Sequence, residues 1–433
     1  MKKPRVAICT FDAPGFTGGP NSWLRRWSAF VTVRGFEVRV LAFILNPHAH
    51  RIPDDYPLLA ALAAQGIGFV TFPHWETIEK KLLWLLAQLE ALQPSVFIPN
   101  FVIAGLYATA WTRPAGLPTV GVLHSDDDYH RALVDRFVAG PARFRPTDIV
   151  TVSRYLTVAT QAQAAPETSV WGIPYGVPLP ATTAQWTQGP LRLLYAGRLE
   201  EEQKRISDVT RALCRAAQLP NVTATIAGDG RGRAAVERII AQESHGRVRY
   251  VGLVDNARIQ ALMAEHHVFV LLSDYEGLPI ALMEAMAAGL VPICTPMRSG
   301  IGELVVDGET GLIVPDRGDG FVAAVARLAG QPETWARLAQ GARRQITTSG
   351  YDLETCHRQW LDLLDRRNRE ATYQGQPLLR RRSRRLGLPP PHPNLEEDHW
   401  REPPPLVYYG RVARAKLIAL TRRLWTGRQP ASP

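Results

Sequence analysis

Two carboxylates carry the clearest chemistry in this sequence. Glu276 and Glu284 stand with seven residues between them in Asp274-Tyr-Glu-Gly-Leu-Pro-Ile-Ala-Leu-Met-Glu-Ala-Met-Ala-Ala-Gly289. A carboxylate can accept two hydrogen bonds from a vicinal diol, and a helix start offers free N–H groups to an anion. Two carboxylates beside a helix start therefore suit a sugar and a phosphate. The plainer account is a structural Glu284 paired with an arginine elsewhere in the chain. A second group lies in Ala196-Gly-Arg-Leu-Glu-Glu-Glu-Gln-Lys-Arg205, where Arg198 and Lys204 are six positions apart. Arginine brings a planar fork and lysine a point charge. Here the plainer account is a solvated charged loop.

The elements around these residues can be read from pattern. His267 to Leu272 is a short apolar strand, and Ser273, Asp274 and Gly277 mark a turn. Pro279 suits the first turn of a helix and Gly289 its end. The helix between them is apolar on every face, which predicts burial, so Glu284 in its middle needs a hydrogen-bonding partner. Upstream, Arg5–Cys9, Val38–Phe43, Gly68–Thr71, Val96–Pro99, Thr119–Leu123 and Asp148–Val152 read as strands. Helical patterns at Ser22–Arg34, Trp75–Leu92 and Ser153–Gln163 fill gaps between them. Downstream, Leu191–Tyr195, Thr223–Ala227 and Val248–Val251 are strands again. Strand and helix in alternation predict parallel sheets covered on both faces, with ligands at the carboxyl ends of the strands.

Three further segments fall at such ends. Asp12-Ala-Pro-Gly-Phe-Thr-Gly-Gly-Pro20 follows the first strand, and Gly18 and Gly19 let backbone approach a ligand at a helix start. His124 ends the Thr119–Leu123 strand, where a histidine is as often structural as functional. Asp126 and Asp128 form a D-x-D pair that could hold a divalent metal, but acids opening a helix more often stabilise its positive end. Ser153 is a good N-cap.

Composition narrows the class. At 433 residues two or three domains are expected, and 46% apolar content supports globular cores. No apolar run reaches membrane-spanning length. The N-terminal apolar run is too short for a signal peptide and reads as a strand. Cys9, Cys214, Cys294 and Cys356 lack metal or redox spacing and read as buried thiols in a reducing cytoplasm. The net charge of +10 is uneven: residues 369–433 hold 13 Lys+Arg against 5 Asp+Glu, leaving +2 for the first 368 residues. The basicity belongs to the tail, and no nucleic-acid partner is expected for the body.

Taken together, these motifs resemble glycosyltransferase family 4, retaining enzymes of GT-B fold, over residues 1 to 368. The Glu276–Glu284 pattern resembles that family's donor-site motif. Gly197-Arg198-Leu199 with Lys204 resembles its donor-diphosphate clamp. The Gly18-Gly19 loop, His124, Gly228-Asp-Gly230 and Glu303-Leu-Val-Val-Asp-Gly-Glu-Thr-Gly-Leu-Ile-Val-Pro315 also have counterparts, the last as a hairpin. Ile173-Pro-Tyr-Gly-Val-Pro178 resembles the family's linker, with Tyr175 where Asn is usual. The resemblance implies two Rossmann-like domains facing across a cleft and sugar transfer from a nucleotide donor, UDP- or GDP-linked, to a saccharide or lipid-linked acceptor. It implies no cofactor and no metal. Glu276 and His124 would act on the transferred sugar. Gly18, Gly19, Arg198, Lys204, Gly277, Leu278, Pro279 and Glu284 would bind the donor, with Glu284 on its ribose. A sugar-nucleotide 2-epimerase of similar fold is the alternative.

The expected organisation is a first domain over 1–172, a linker over 173–190 and a nucleotide-sugar domain over 191–350. A helix over 351–368, carrying Leu353, Trp360, Leu361 and Leu364 on one side, would cross back to the first domain. A basic Pro-rich tail would follow over 369–433. In that tail Arg380–Arg385 precede a stripe of Leu406, Tyr409, Ala413, Leu417, Leu420 and Leu424 at helical spacing. Residues 380–425 suit an anionic membrane surface, which would hold a cytoplasmic protein at the inner face. Docking of the stripe on the protein itself is the competing expectation.

Overall fold

The computed structural model describes residues 3–16, 18–255, 258–297, 299–379 and 386–401. Two parallel sheets organise it. The first contains β1 (Arg5–Asp12), β2 (Glu37–Ile44), β3 (Gly68–Pro73), β4 (Val96–Ile98), β5 (Val120–Leu123), β6 (Asp148–Thr151) and β7 (Ser169–Gly172). Their order is β3-β2-β1-β4 followed by β5-β6-β7, and a parallel bridge between Phe97 and Thr119 joins the two groups. The second contains β8 (Leu191–Ala196), β9 (Val222–Ala227), β10 (Val248–Tyr250), β11 (Val268–Leu271), β12 (Val291–Cys294) and β13 (Leu312–Ile313), ordered β10-β9-β8-β11-β12-β13. In each sheet the first strand lies beside the fourth, so each has a switch point where ligands gather at the strand ends. The strands β4, β5, β6, β11 and β12 are buried at every residue, and all but β6, which carries buried Asp148 and Thr151, lack polar side chains apart from a terminal cysteine in β12.

The expected strands form within a few residues of their sequence bounds. Helices over Pro57–Ala64 and Ile103–Thr112, and strand β7, were not anticipated, whereas the helix over Asp128–Phe137 starts at the acids expected to open one. The helix over Ile103–Thr112 is buried at eight positions and has little amphipathic contrast to reveal it. The Glu303–Pro315 segment is not a hairpin. Asp307-Gly308 does turn, with the Gly308 N–H donating to the Gly311 carbonyl at 2.9 Å. The chain then enters β13, which pairs parallel with β12.

The chain passes between the halves twice, at one place. Val177 N–H donates to the Tyr351 carbonyl, and Leu353 N–H donates to the Val177 carbonyl, each at 3.0 Å. Asp352 caps the helix over Leu353–Glu370 by accepting from Thr355 N–H. That helix packs Trp360, 1% exposed, against Trp23 and Trp27 of the helix over Gly19–Val33. Its buried stripe is Cys356, His357, Trp360, Leu363 and Leu364. Leu353 and Leu361, expected inside, sit half-buried at its edges. Arg367 closes the helix onto fully buried Asp148 of β6, donating from Nε at 2.7 Å and Nη2 at 2.6 Å.

Part of the C-terminal region docks on the first domain. Residues 386–401 lie against it as a strap ending in a short 3-10 turn over Glu396–His399. Asp398 is fully buried and accepts from Tyr107 Oη at 3.0 Å, His392 N–H at 2.8 Å and Arg401. Glu397 accepts from Lys81, whose side chain is fully buried and lies under the Trp400 ring. Arg380–Arg385 and the Leu406–Leu424 stripe lie outside the described residues. Among the described residues no helix is long and apolar enough to cross a membrane, and all four cysteines are unpaired and buried.

Candidate functional site

A cleft of about 730 Å³ opens between the carboxyl ends of the two sheets. His124, Glu276, Gly18, Gly19, Arg198, Lys204, Gly277, Leu278, Pro279 and Glu284 all line it. Residues singled out from separate motifs therefore meet on one surface.

The second sheet contributes the charged wall. Arg198 follows β8, and its guanidinium donates to Glu200 Oε1 at 3.0 Å and Gln203 Oε1 at 2.8 Å. Gln203 Nε2 donates in turn to the Tyr275 carbonyl at 3.0 Å and to Glu276 Oε2 at 3.2 Å. Lys204 donates to the other oxygen of Glu276, with side chains 12% and 7% exposed. The loop after β8 is thus laced to the loop after β11, and the two cations are spaced by a carboxylate on each. Gln203 was not anticipated: an uncharged side chain inside a charged run gives no signal of its own. Glu200 also pairs with Arg198 at 2.9 Å.

Two close backbone approaches shape the cleft, the first within the second sheet's wall and the second between the walls. Gly228, at φ +137, lies so close to Gly197 that a Cβ would come within 1.9 Å of the Gly197 carbonyl oxygen. Gly277 sits against His124, where a Cβ would come within 1.9 Å of that carbonyl oxygen. Pro279 then opens the helix over Ile280–Ala287, whose first residues Ile280 and Ala281 line the cleft. The helix over Gly19–Val33 starts at the same cleft from Gly18.

The first sheet contributes His124, at the end of β5. Its Nε2–H donates to Asn100 Oδ1 and its Nδ1 accepts from the Tyr175 hydroxyl, both at 2.7 Å. The Tyr175 ring stacks on the imidazole at 5.7 Å and 9°. Burial, with His130 nearby, pushes the His124 pKa down to about 3, so the ring is neutral at ordinary pH. Asn100 and Phe101 after β4 both adopt left-handed backbone, at φ 51 and 53, a strained arrangement of the kind found at functional sites. Nothing in the sequence marks Asn100. Tyr175 was visible only as a departure from the Asn usual in the linker motif.

Glu284 does have an arginine partner. Arg26 of the helix over Gly19–Val33 binds it across the cleft, with side chains 17% and 11% exposed. Asp126 and Asp128 are engaged as well. Asp126 accepts from Tyr155 Oη at 3.0 Å, Asp128 pairs with Arg131 at 2.6 Å, and Asp127 caps the helix by accepting from His130 N–H. Among the described residues no cluster of three or more His, Cys, Asp or Glu has the arrangement of a metal site.

Two facing sheets of this order define a GT-B fold, and solved structures bear this out. HepE of Anabaena, in complex with UDP and glucose, has a TM-score of 0.65 at 18% identity, covering 84% of this chain and all of that one. Sucrose-phosphate synthase of Thermosynechococcus elongatus gives 0.67 at 17% identity, covering 84% of this chain and 99% of that one. Residues 190–331, about a third of the chain, match the family described as Glycosyl transferases group 1. The chain is 38% identical over 173 residues to glycogen synthase of Mycobacterium tuberculosis, covering 39% of this chain and 40% of that protein. It is 31% identical over 187 residues to the amylovoran biosynthesis glycosyltransferase AmsK of Erwinia amylovora, covering 41% and 45%. The chain thus spans less than half the length of these curated relatives.

Proposed function

We propose that the protein transfers a hexose from a nucleoside-diphosphate sugar to an acceptor hydroxyl with retention of configuration, in the assembly of a polysaccharide or glycolipid. One observation carries this reading: Arg198, Lys204, Glu276 and Glu284 converge on one cleft between two switch points. The relatives named above include a glycogen synthase and an amylovoran biosynthesis glycosyltransferase, and HepE was solved in complex with UDP and glucose. A UDP-sugar is therefore the first donor to test, and a GDP-sugar the second.

In this reading the diphosphate lies between the Gly18–Gly19 turn and the Arg198–Lys204 pair. As the bond from the anomeric carbon to the diphosphate oxygen breaks, negative charge grows on the leaving group. The fixed cations stabilise that charge most in the transition state. Lys204 and Arg198 also supply the neutralisation that a divalent ion supplies in other phosphate chemistries. Glu276, held by Lys204 and Gln203, keeps its carboxylate in place for hydroxyls of the transferred sugar. Glu284 takes the ribose. The acceptor hydroxyl attacks the face that the diphosphate leaves, and its proton passes to the departing phosphate oxygen. Neutral His124 orients a sugar hydroxyl by exchanging one of its two present hydrogen bonds.

The test is calorimetric titration against UDP-, GDP- and ADP-sugars, followed by NMR of the product formed from the tightest donor. A bound donor yielding a product of unchanged anomeric configuration supports the reading. An inverted product, an epimerised donor, or binding to none of the panel overturns it.

A further inference from the structure

Glu284 sits on the helix over Ile280–Ala287, between fully buried Met283 and Ala285. That helix offers it no polar neighbour. Its carboxylate meets Arg26, 258 positions away and in the other half of the molecule. Arg26 uses Nη2, and the contact is on Oε1. A carboxylate has about four acceptor positions, so capacity for two ligand hydroxyls remains. The arrangement is poor as a device for stability alone. Arg26 Nη1 is buried with no hydrogen-bond partner among the described residues, and leaving a buried donor unpaired is costly. Arg25, its neighbour, also feels the Glu284 charge: burial and Arg26 lower its pKa and Glu284 raises it. Two cations of the first domain thus bear on one carboxylate of the second.

We infer that Arg26 is a positioning residue for Glu284, fixing its carboxylate for the vicinal diol of the donor ribose. The inference rests on the proposal that Glu284 binds that ribose. Held by a guanidinium, the carboxylate keeps one rotamer and its charge, which lowers the ordering cost of accepting two hydroxyls. Because Arg26 belongs to the first domain, this ordering exists only when the two halves are together. Recognition of the nucleoside by one domain is thereby completed by the other.

The probes are UDP, 2′-deoxy-UDP and 3′-deoxy-UDP, titrated calorimetrically into the full chain. Wild-type protein is expected to prefer UDP by about tenfold over either deoxy analogue, the scale of one lost hydrogen bond. Glu284→Gln removes most of that preference. Arg26→Met is expected to remove it to a similar degree while leaving affinity for 3′-deoxy-UDP near wild type. Arg26→Lys restores part of it. If Arg26→Met keeps the full preference while Glu284→Gln loses it, Arg26 is only a structural tie and the inference falls. If wild type shows no preference, or Glu284→Gln keeps it, the ribose reading itself falls.

Discussion

Glycine separates fold from function here because the structure places its two kinds side by side. A Cβ at Gly277 would come within 1.9 Å of the His124 carbonyl oxygen, whereas at Gly19 it would meet Ile280 at 3.6 Å, an ordinary contact. Gly277→Ala should push the loop after β11 off β5 and cut turnover by ~10²-fold or more, the cost of misplacing a site by about 1 Å. Gly19→Ala should fold with unchanged melting temperature and lose donor affinity without losing turnover at saturation. Equal behaviour of the two variants in melting and steady-state assays would refute the distinction. Lys204→Ala and Glu284→Gln should each lower turnover at saturating donor by ~10²-fold with the circular dichroism unchanged; near-normal turnover removes that residue from the site. The ten residues singled out from the sequence could be placed on the cleft because each belongs to a short local motif. Arg26 was not, since nothing local links it to a glutamate 258 positions on. Asn100 was hidden for a related reason: its role comes from left-handed backbone, at φ 51, that asparagine tolerates but does not announce.

Among the elements, the strap over 386–401 departs furthest from what the sequence suggested. A charge sum over the tail treats Glu396, Glu397 and Asp398 as three acids lost among thirteen bases. The structure makes two of them the anchors. Lys81 is fully buried with Glu397 as its ion-pair partner, and burial lowers its pKa while Glu397 raises it. Removing one partner of a buried pair costs about 3–5 kcal/mol. Truncation after residue 385 should therefore lower the stability of the first domain markedly, and adding Lys81→Met to the truncated chain should restore part of the loss. Denaturant melts of the four combinations would show it; an unshifted midpoint on truncation would mean the strap contributes nothing. Most strands, and the helices over Gly19–Val33, Ile78–Leu92 and Leu353–Glu370, were legible from pattern. The helix over Ile103–Thr112 was not, because a segment buried on nearly every side has no polar face to set its period.

At the scale of the whole molecule, buried histidines set the response to acid. Burial holds His124 near pKa 3 and both His267 and His357 near 4, all below the ordinary 6.5. The folded state keeps these rings neutral while the unfolded chain takes up protons below pH 6.5. Their stabilising contribution is complete above that pH and is lost as pH falls toward 4. Asp12 works the other way, because burial pushes its carboxyl up to about 6 from 3.8, so the folded state binds that proton first. Burial also lowers His74 and His266, so the histidines outweigh Asp12 and the denaturation midpoint should drop between pH 7 and 5. His357→Phe, beside Phe30, should flatten that dependence; an unchanged pH profile in this variant would contradict the assignment.

The paired crossing at Val177 and Asp352 has a mechanical consequence. The two connecting segments are stitched to each other, and Gly176, at φ +71, leaves so little room that an added Cβ would come within 2.9 Å of Cys356 Cβ. What displaces one connection therefore displaces the other. The placement of the two halves is fixed at this crossing, away from the cleft whose side chains it brings together.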